Sequence, residues 1–438
     1  PASGLYVRGE LGSADESLDI PISVEETNGI ARVDEPMSFG IPIAEDAVIR
    51  SVNHLGLIDN KGNNIPCQFT VLSRWRDTRS GDGPIKWVLL DFQDAIPANA
   101  KNIYHLVNNH TGNAKSTDLA VLDKTPSPGK VTVETGAAKF VLNKSRLNFE
   151  GVFIDTDGDD WPDDRIAGAE NGNGLTLNDT NGLVYNAVRE DSDVTQEFEI
   201  EKNGPLHAVL MWRGVFKKSS GQYYCRSLTD CESNPDRCHR EEKTFSQTEF
   251  YPNSYVYWAA RLHFYAGKDF VRMEIALENN GGFKEHYAGT DSIVRRTPQQ
   301  DNYFDSVNFD IILHEMNKSK AQSHGVEQQP ISGTYVLDQT WKQENPISGR
   351  ALVVNDEKGP LYRVINGGIV IASENGKAGE NPGWLEVSSG NKKITVLTKD
   401  FWQNHGKVYR ASNDSIQIGI WPSEYYFPWN LEYHDLGY

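Results

Sequence analysis

The sequence predicts an all-β protein, and composition and residue patterning both support that class. The 438 residues include 38 Gly and 20 Pro, together with 10 Trp, 18 Tyr and 17 Phe, but only four Met. This composition fits many short strands and turns better than helical bundles. Apolar residues also occur in short runs separated by polar breaks, which is typical of strands. At this length we expect two domains, or three if one is small.

The first predicted domain, residues 1–125, is expected to be a β-barrel or sandwich. Asp59-Asn-Lys-Gly62 has the composition of a hairpin turn, with a glycine that can adopt positive φ. The predicted strand Ile65–Leu72 follows it. Ile85–Phe92 is strongly apolar and is typical of a buried strand.

The second predicted domain, residues 126–438, begins in the linker Thr125-Pro-Ser-Pro-Gly-Lys130. Its two prolines restrict the residue before each of them to extended geometry. Beyond the linker the clearest predicted strands are Ala208–Phe216, Phe270–Leu277 and Lys392–Leu397. No repeat of fixed period is found, which argues against propellers and solenoids. We expect a large β-sandwich with an inserted acidic loop.

The acidic loop places six carboxylates within ten residues, 155–164. Such a density of like charge predicts a bound cation, and alternating oxygen ligands with a backbone carbonyl at the seventh position are typical of calcium loops. The predicted Ca²⁺ ligands are Asp155, Asp157, Asp159, Trp161 through its carbonyl, and Asp163. The alternative is a solvated acidic turn without an ion.

This loop resembles the short calcium repeats of thrombospondin type 3 and dockerin-like proteins. Two positions depart from that pattern. Asp160 stands where Gly is usual, although Asp tolerates left-handed geometry better than most residues. Ile166 stands where an acidic bidentate ligand is usual.

Charge and hydropathy limit the partners. The net charge of −18 argues against nucleic acid, because phosphates would be repelled. An anionic glycan could still be bound through a local basic patch. No run of about 18 apolar residues occurs, so no membrane span is predicted. The chain starts at Pro1 without a signal peptide, so we expect a processed form of a secreted, extracellular or periplasmic protein.

Three of the four cysteines, Cys225, Cys231 and Cys238, lie close together in sequence. An even number of cysteines in a calcium-binding chain favours disulfides, so at least one bridge is predicted among these three. The alternative is a zinc site completed by His239. The spacings are wider than the usual zinc pitch, which disfavours that alternative.

Several segments resemble the exo-rhamnogalacturonan lyase-like family. The N-terminal motifs are Val33–Pro42, Asn60–Pro66, Ser73–Asp77 and Gly83–Gln93, and the later ones are Asn203–Val209, Ala260–Val271, Asp400–Gln403 and Ile420–Pro422. The resemblance implies an N-terminal RIFT-type β-barrel, a central β-sandwich and action on acidic plant or algal polysaccharides. The family's C-terminal α/α toroid would begin about where the sequence stops. We therefore expect lyase-like activity to be weak or absent in this chain alone.

Elimination from an acidic glycan needs a base, an acid and a group that neutralises the uronate carboxylate. Arg can grip a carboxylate with two hydrogen bonds while Tyr or His moves the proton. These residue types are close in sequence at His286, Tyr287, Arg295 and Arg296, which are the candidate catalytic residues. Alternatively, the first two are surface residues and the arginines pair with Asp291 or Asp301.

The last part of the chain is rich in aromatic residues. Trp402, His405 and Trp421 are candidates for a sugar-stacking platform. The alternative is that these aromatics belong to the core or to a docking face. We expect a partner chain or a further domain to cover the aromatic segment Trp421–Tyr438.

Three classes of function therefore remain open. The chain is a calcium-binding polysaccharide lyase or its weakly active β portion, a non-catalytic carbohydrate-binding protein, or a secreted structural protein such as a surface-layer or filament subunit.

Overall fold

The computed structural model of the chain describes residues 18–76, 83–108, 120–122, 129–170, 172–179, 182–188, 198–220, 256–279, 283–287, 294–298, 304–339, 362–374, 381–401, 404 and 407–422. At 120–122, 279, 283–287, 294–298 and 374 only the backbone is described. Strands make up nearly all the regular structure of these residues, beside short 3₁₀ turns at Glu45–Ala47 and Val52–His54. The all-β prediction is confirmed.

Residues 18–108 form what we call the N-terminal module. Its strands are β1 (Asp19–Glu25), β2 (Arg32–Pro42), β3 (Leu55–Asp59), β4 (Asn64–Ile65), β5 (Cys67–Arg74), β6 (Ile85–Ile96) and β7 (Lys101–Asn108). They pair in two antiparallel sheets, ordered β1-β7-β3-β4 and β2-β6-β5. Side chains from both sheets, including Ile22, Leu57 and Leu90, are fully buried in one shared core.

The predicted N-terminal barrel is not closed in the part of this module that the structure describes. The module has two separate sheets instead. The chain passes from β4 to β5 at Pro66, which has no N–H to donate to a strand ladder, so the pairing is interrupted there. The predicted boundary near residue 125 lies outside the described residues and stays a prediction.

A five-stranded sheet follows. Its strands are β8 (Ala120–Leu122), β9 (Lys130–Glu134), β10 (Ala138–Asn143), β11 (Phe149–Ile154) and β12 (Asp164–Ala167), in the order β12-β11-β10-β9-β8. It packs on a second sheet through aromatic pairs. The Phe140 and Phe264 rings are 5.3 Å apart, and those of Phe149 and Phe309 are 6.0 Å apart, edge to face. The result is the expected sandwich.

The second sheet has twelve strands and spans two cores. Its strands are β13 (Leu175–Asp179), β14 (Val184–Val188), β15 (Phe198–Asn203), β16 (His207–Lys217), β17 (Val256–Tyr265), β18 (Val271–Asn279), β21 (Phe304–Ile312), β24 (Tyr335–Asp338), β25 (Tyr362–Asn366), β26 (Ile369–Glu374), β29 (Val408–Ala411) and β30 (Ser415–Trp421). Their order is β18-β17-β16-β14-β13-β21-β30-β29-β24-β25-β26, with β15 paired to β16.

Six strands lie outside this sheet. They are β19 (Phe283–Tyr287), β20 (Val294–Pro298), β22 (Lys320–Ser323), β23 (Val326–Pro330), β27 (Trp384–Ser389) and β28 (Lys392–Leu397).

The two cores lie at opposite ends of this sheet. The first includes Trp212 and Trp258, and the second includes Tyr335, Tyr362 and Tyr409, all of them fully buried. The second core is closed by a four-stranded sheet ordered β23-β22-β27-β28. No helix in the described residues has the length and apolar character needed to cross a bilayer.

Side-chain alternation on β16 determines what meets the N-terminal module. Ala208, Leu210 and Trp212 belong to the sandwich core. Because successive side chains of a strand point to opposite faces, His207 lies on the other face. There it meets Asp91 of β6. The strand is as predicted, and its outer face forms the junction between the two regions.

Candidate functional site

The predicted calcium loop connects two adjacent strands. Ile154 at the end of β11 pairs with Asp164 at the start of β12, so residues 155–163 form the tip of a hairpin. Gly158 and Asp160 have left-handed backbones, with φ of 84° and 67°. Asp160 thus adopts the conformation for which glycine is usual at its position in calcium loops, in agreement with the tolerance of Asp for this region.

Three of the predicted ligands come together in this loop. Asp155, Asp157 and Asp159 each offer a carboxylate oxygen, and these oxygens lie within 4.8 Å of one another. Backbone amides orient all three carboxylates, with that of Asp157 accepting from the Asp159 amide at 3.3 Å. Asp155 accepts hydrogen bonds from the amides of Gly158 at 2.7 Å and Asp160 at 2.9 Å, and Asp159 accepts one from Trp161 at 2.9 Å.

The charges of these carboxylates are incompletely balanced within the loop. The backbone hydrogen bond from Gly158 lowers the pKa of Asp155, which keeps that group ionised. Repulsion by Asp159 raises the pKa of Asp157. Among the described residues, the second carboxylate oxygens of Asp157 and Asp159 accept no hydrogen bond. A set of hard oxygen donors of this kind fits Ca²⁺ or Mg²⁺ better than Zn²⁺.

Asp163 does not join the three clustered carboxylates, and the Trp161 carbonyl is hydrogen-bonded within the loop. The Trp161 carbonyl accepts a hydrogen bond from the Asp163 amide at 2.9 Å, and the Trp161 side chain is 69% exposed. The Asp163 carboxylate is not among the three clustered carboxylates. Their roles as ligands stay predictions.

Asp164, which the sequence did not single out, closes the loop. Its Oδ2 accepts hydrogen bonds from the Thr156 amide at 2.9 Å and the Thr156 hydroxyl at 2.5 Å, and these bonds lower the pKa of Asp164. Asn391 holds the loop from outside by donating to the Thr156 carbonyl at 2.6 Å. The feature that identifies Asp164 is its position opposite Ile154, in the residue pair that closes the hairpin.

The other predicted site residues fall mostly outside the described part. In the β19–β20 hairpin the backbone of His286 pairs with that of Arg295, Glu285 pairs with Arg296, and Tyr287 pairs with Val294. The side chains of these residues are outside the described part, as are Trp402, His405, Cys225, Cys231 and Cys238. Trp421 ends β30, where it is 36% exposed and its ring lies edge-on to Phe304 at 5.8 Å.

A second polar cluster joins the N-terminal module to the large sheet. We call it the polar seam, and it consists of Ser38, Asp91, Lys202, His207 and His263. Asp91 is 2% exposed. Its Oδ1 accepts from the Ser38 hydroxyl at 2.5 Å and lies 2.8 Å from His207 Nδ1, and its Oδ2 accepts from Lys202 Nζ at 2.8 Å.

The polar seam continues from one imidazole to the next. His207 Nε2 lies 3.1 Å from His263 Nδ1, and the His207 ring stacks on Tyr265 at 4.6 Å. Burial raises the pKa of Asp91, but His207 and Lys202 outweigh that effect and the net pKa is lowered. Burial, followed by the charge of His207, lowers the pKa of His263 to about 4.

Sequence reasoning missed the polar seam because its members are far apart along the chain. The local signal that could have found it is Asp91 itself, a carboxylate that follows the apolar run Trp87–Leu90. A carboxylate in a buried strand requires a partner. No local pattern identifies that partner.

Comparisons with known proteins do not assign a family. No protein-family model and no curated protein matches the chain. Among solved structures, a protein in glycosyl hydrolase family 38 from Enterococcus faecalis is similar at 9% identity with a TM-score of 0.40. The match covers 92% of this chain but 40% of that one, so this chain spans well under half of its length. A similarity this weak supports no conclusion about function.

Proposed function

We propose that this protein is a secreted or periplasmic calcium-binding β protein, with Asp155, Asp157 and Asp159 as the core of its calcium site. The observation that carries the proposal is the convergence of these three carboxylates within 4.8 Å. Three like charges at that separation repel one another, and a divalent cation removes the repulsion. The oxygen-only donor set selects a hard cation.

In this proposal the ion has a structural role. The loop joins β11 to β12 at the edge of the five-stranded sheet, and Asn391 between β27 and β28 holds it from the other side. Lys392 Nζ also donates to the Arg165 carbonyl at 3.1 Å. A cation that fixes the loop therefore also stabilises the contact between the five-stranded sheet and the β27–β28 hairpin.

We further propose that the protein acts on or binds acidic polysaccharides, as the resemblance to the exo-rhamnogalacturonan lyase-like family implies. One structural observation supports the proposal that the resemblance extends over both regions of the chain. Three of its motifs, Gly83–Gln93, Asn203–Val209 and Ala260–Val271, contribute Asp91, His207 and His263 to a single cluster. Motifs that are far apart in sequence thus meet in space. Binding without chemistry and assembly into surface structures are the alternative outcomes of the assays below.

Terbium luminescence tests the calcium site. Tb³⁺ replaces Ca²⁺ at oxygen sites, and Trp161 lies in the loop as a sensitiser. We expect sensitised emission that Ca²⁺ competes away, and that Asp157→Asn with Asp159→Asn abolishes. The matched control is Asp46→Asn, an exposed acidic residue of the N-terminal module. Emission unaffected by the double variant would refute the site.

An activity assay tests the glycan part. We expect this 438-residue chain to produce little unsaturated product from acidic polysaccharides, measured by ultraviolet absorbance, while binding them in pull-down assays. Rapid turnover abolished by His286→Ala or Tyr287→Phe would show instead that the chain carries a complete active site. Absence of both binding and turnover would leave calcium-dependent assembly as the function to test, by electron microscopy.

A further inference from the structure

One corner of the N-terminal module carries an excess of positive charge, although the whole chain has a net charge of −18. We call it the basic corner and define it as residues 43–50, 74–76 and 83–87. Its charged residues are the four cations Arg50, Arg74, Arg76 and Lys86 and the two carboxylates Glu45 and Asp46, which leaves a net charge of +2. A local excess of this sign attracts anions that an acidic chain otherwise repels.

Hydrogen bonds hold the three segments of the basic corner together. The Ile43 amide donates to the Lys86 carbonyl at 2.9 Å. Trp75 donates twice, through its amide to the Pro84 carbonyl at 2.7 Å and through Nε1 to the Ile43 carbonyl at 2.9 Å. A Cβ on Gly83 would lie 2.2 Å from the Trp75 carbonyl oxygen, so the two backbones approach closely. The cations are therefore presented on a well-tied backbone.

Within the described part of the chain, the Arg74 guanidinium uses one of its three nitrogens. Nη1 donates to the Gly83 carbonyl at 2.7 Å and to the Arg50 carbonyl at 3.0 Å. Both acceptors are neutral, so they do not compensate the charge. Nε and Nη2 form no hydrogen bond to the described residues, and neither is a buried atom. That edge of a guanidinium can hold both oxygens of a carboxylate side by side.

Lys86 is a second cation that no carboxylate of the described residues pairs with. Its Nζ lies 4.7 Å from the centre of the Trp75 ring, in a cation–π contact that leaves the charge in place. The ion pair that the basic corner does contain joins Arg76 to Glu45 at 2.7 Å. Those two side chains are 79% and 41% exposed, so solvent screens their attraction.

Arg74 and Lys86 lie on adjacent strands. Arg74 at the end of β5 pairs with Ile85 at the start of β6, so Lys86 is one residue away from the partner of Arg74. Given the spacing of strands and of residues along a strand, the two backbones are about 6 Å apart at these positions. A polymer with a carboxylate on every sugar can therefore engage both cations at once.

We propose that the basic corner binds the uronate carboxylates of an acidic polysaccharide, with Arg74 gripping one carboxylate through Nε and Nη2 and Lys86 contacting the same chain. This inference rests on the glycan part of the proposed function and names the site that the glycan uses. It does not depend on the calcium site. A nucleic acid is disfavoured, because such polymers are typically held by several phosphate contacts and two cations cannot supply them.

The arrangement of the two cations limits the entropic cost of binding. Arg74 is already held by two carbonyls and Lys86 by the Trp75 ring, so less side-chain freedom is lost when the ligand arrives. Because the site lies at the surface, added salt screens the attraction. We therefore expect binding that requires carboxylates and weakens as the ionic strength rises.

The test measures binding of the full chain to short oligogalacturonates by isothermal titration calorimetry. The matched ligand is the fully methyl-esterified form, which has the same sugars without the charge. Lys86→Gln removes one charge, and Arg74→Lys keeps the charge but removes the fork. The matched control is Lys101→Gln, an exposed lysine on β7 in the other sheet of the module. Melting temperatures establish that each variant is folded.

We expect Lys86→Gln to weaken binding about fivefold. Arg74→Lys should weaken it about tenfold, because a lysine cannot hold both carboxylate oxygens. Lys101→Gln should bind as the wild type does, and the esterified ligand should not bind.

The outcomes separate this inference from the proposed function. Wild-type affinity in both Lys86→Gln and Arg74→Lys, or equal affinity for the esterified ligand, would overturn the basic corner as the site while glycan binding stands. A wild type that binds no acidic polysaccharide would refute both. If Arg74→Lys does not fold, Lys86→Gln decides, because Lys86 donates no side-chain hydrogen bond to the described residues.

Discussion

Asp91 Oδ1 lies 2.8 Å from His207 Nδ1, although 116 positions separate the two residues in the chain. The pair is almost completely buried, with side-chain exposures of 3% and 5%. A buried charge is stable only when it is paired and hydrogen-bonded. The contact therefore makes the attachment of the N-terminal module to the large sheet dependent on a few polar groups.

Removing the charge of Asp91 is predicted to be strongly destabilising. Asp91→Asn leaves Lys202 and His207 without their anionic partner, which costs about 3–5 kcal/mol for a buried pair. Urea denaturation measures the free energy of unfolding. Asp19→Asn, which breaks an exposed pair with His105, is the control and should cost less than about 1 kcal/mol. Equal effects of the two substitutions would contradict this prediction.

The free energy of unfolding is predicted to fall in mild acid. The pKa of His263 is about 4 in the folded protein and 6.5 when unfolded. A group whose folded pKa is lowered in this way withholds a proton that the unfolded state binds. Between pH 7 and pH 5 this costs on the order of 2 kcal/mol, and the loss continues down to about pH 4. Denaturation of wild type and His263→Asn at several pH values measures it. An identical pH dependence in both would count against the prediction.

Chelation is predicted to lower the melting temperature. Binding of Ca²⁺ to the native state alone adds about 2.7 kcal/mol at a hundredfold excess over the dissociation constant. EDTA removes that contribution, which differential scanning calorimetry measures. The variant with Asp157→Asn and Asp159→Asn should melt at the same temperature with and without EDTA. A wild type insensitive to chelation would show that the loop is a solvated acidic turn.

Gly383 is predicted to tolerate no side chain. Its φ is 73°, and an added Cβ would lie 2.0 Å from Cβ of the fully buried Phe401. Gly383→Ala should cost about 2–5 kcal/mol from left-handed strain and overpacking together. Gly390→Ala shares the left-handed backbone at φ 61° but meets nothing within 4 Å, so its cost should be about 1–2 kcal/mol. A similar loss for both would exclude overpacking at Gly383.

The thiol of Cys67 is predicted to be unreactive in the folded protein. Cys67 is 1% exposed, and burial raises the pKa of its thiol to about 12. Alkylation of the native chain should therefore modify Cys67 only after denaturation.

A disulfide is predicted among Cys225, Cys231 and Cys238, and mass spectrometry of unreduced peptides tests it. Three alkylated thiols at Cys225, Cys231 and Cys238 in the native chain would exclude it.

Local features of this protein were predictable from sequence. The buried strand β16, the alternation of β28 and the turn at Gly62 each depend on residues that are neighbours in the chain. The convergence of the three carboxylates in the acidic loop was predictable for the same reason. They alternate within one tight hairpin, and the closing pair Ile154–Asp164 forces them together whatever the rest of the chain does.

The tertiary structure alone decided the remainder. Asp91 meets His207 because β6 of the N-terminal module lies across β16 of the large sheet. The spacing of residues along the chain does not predict that contact. The same holds for the open arrangement of the N-terminal sheets and for the pairing of β13 with β21. Hydrogen-bond ladders and buried ion pairs form between surfaces brought together by burial of apolar area, which is non-directional and leaves the choice of partner to the whole fold.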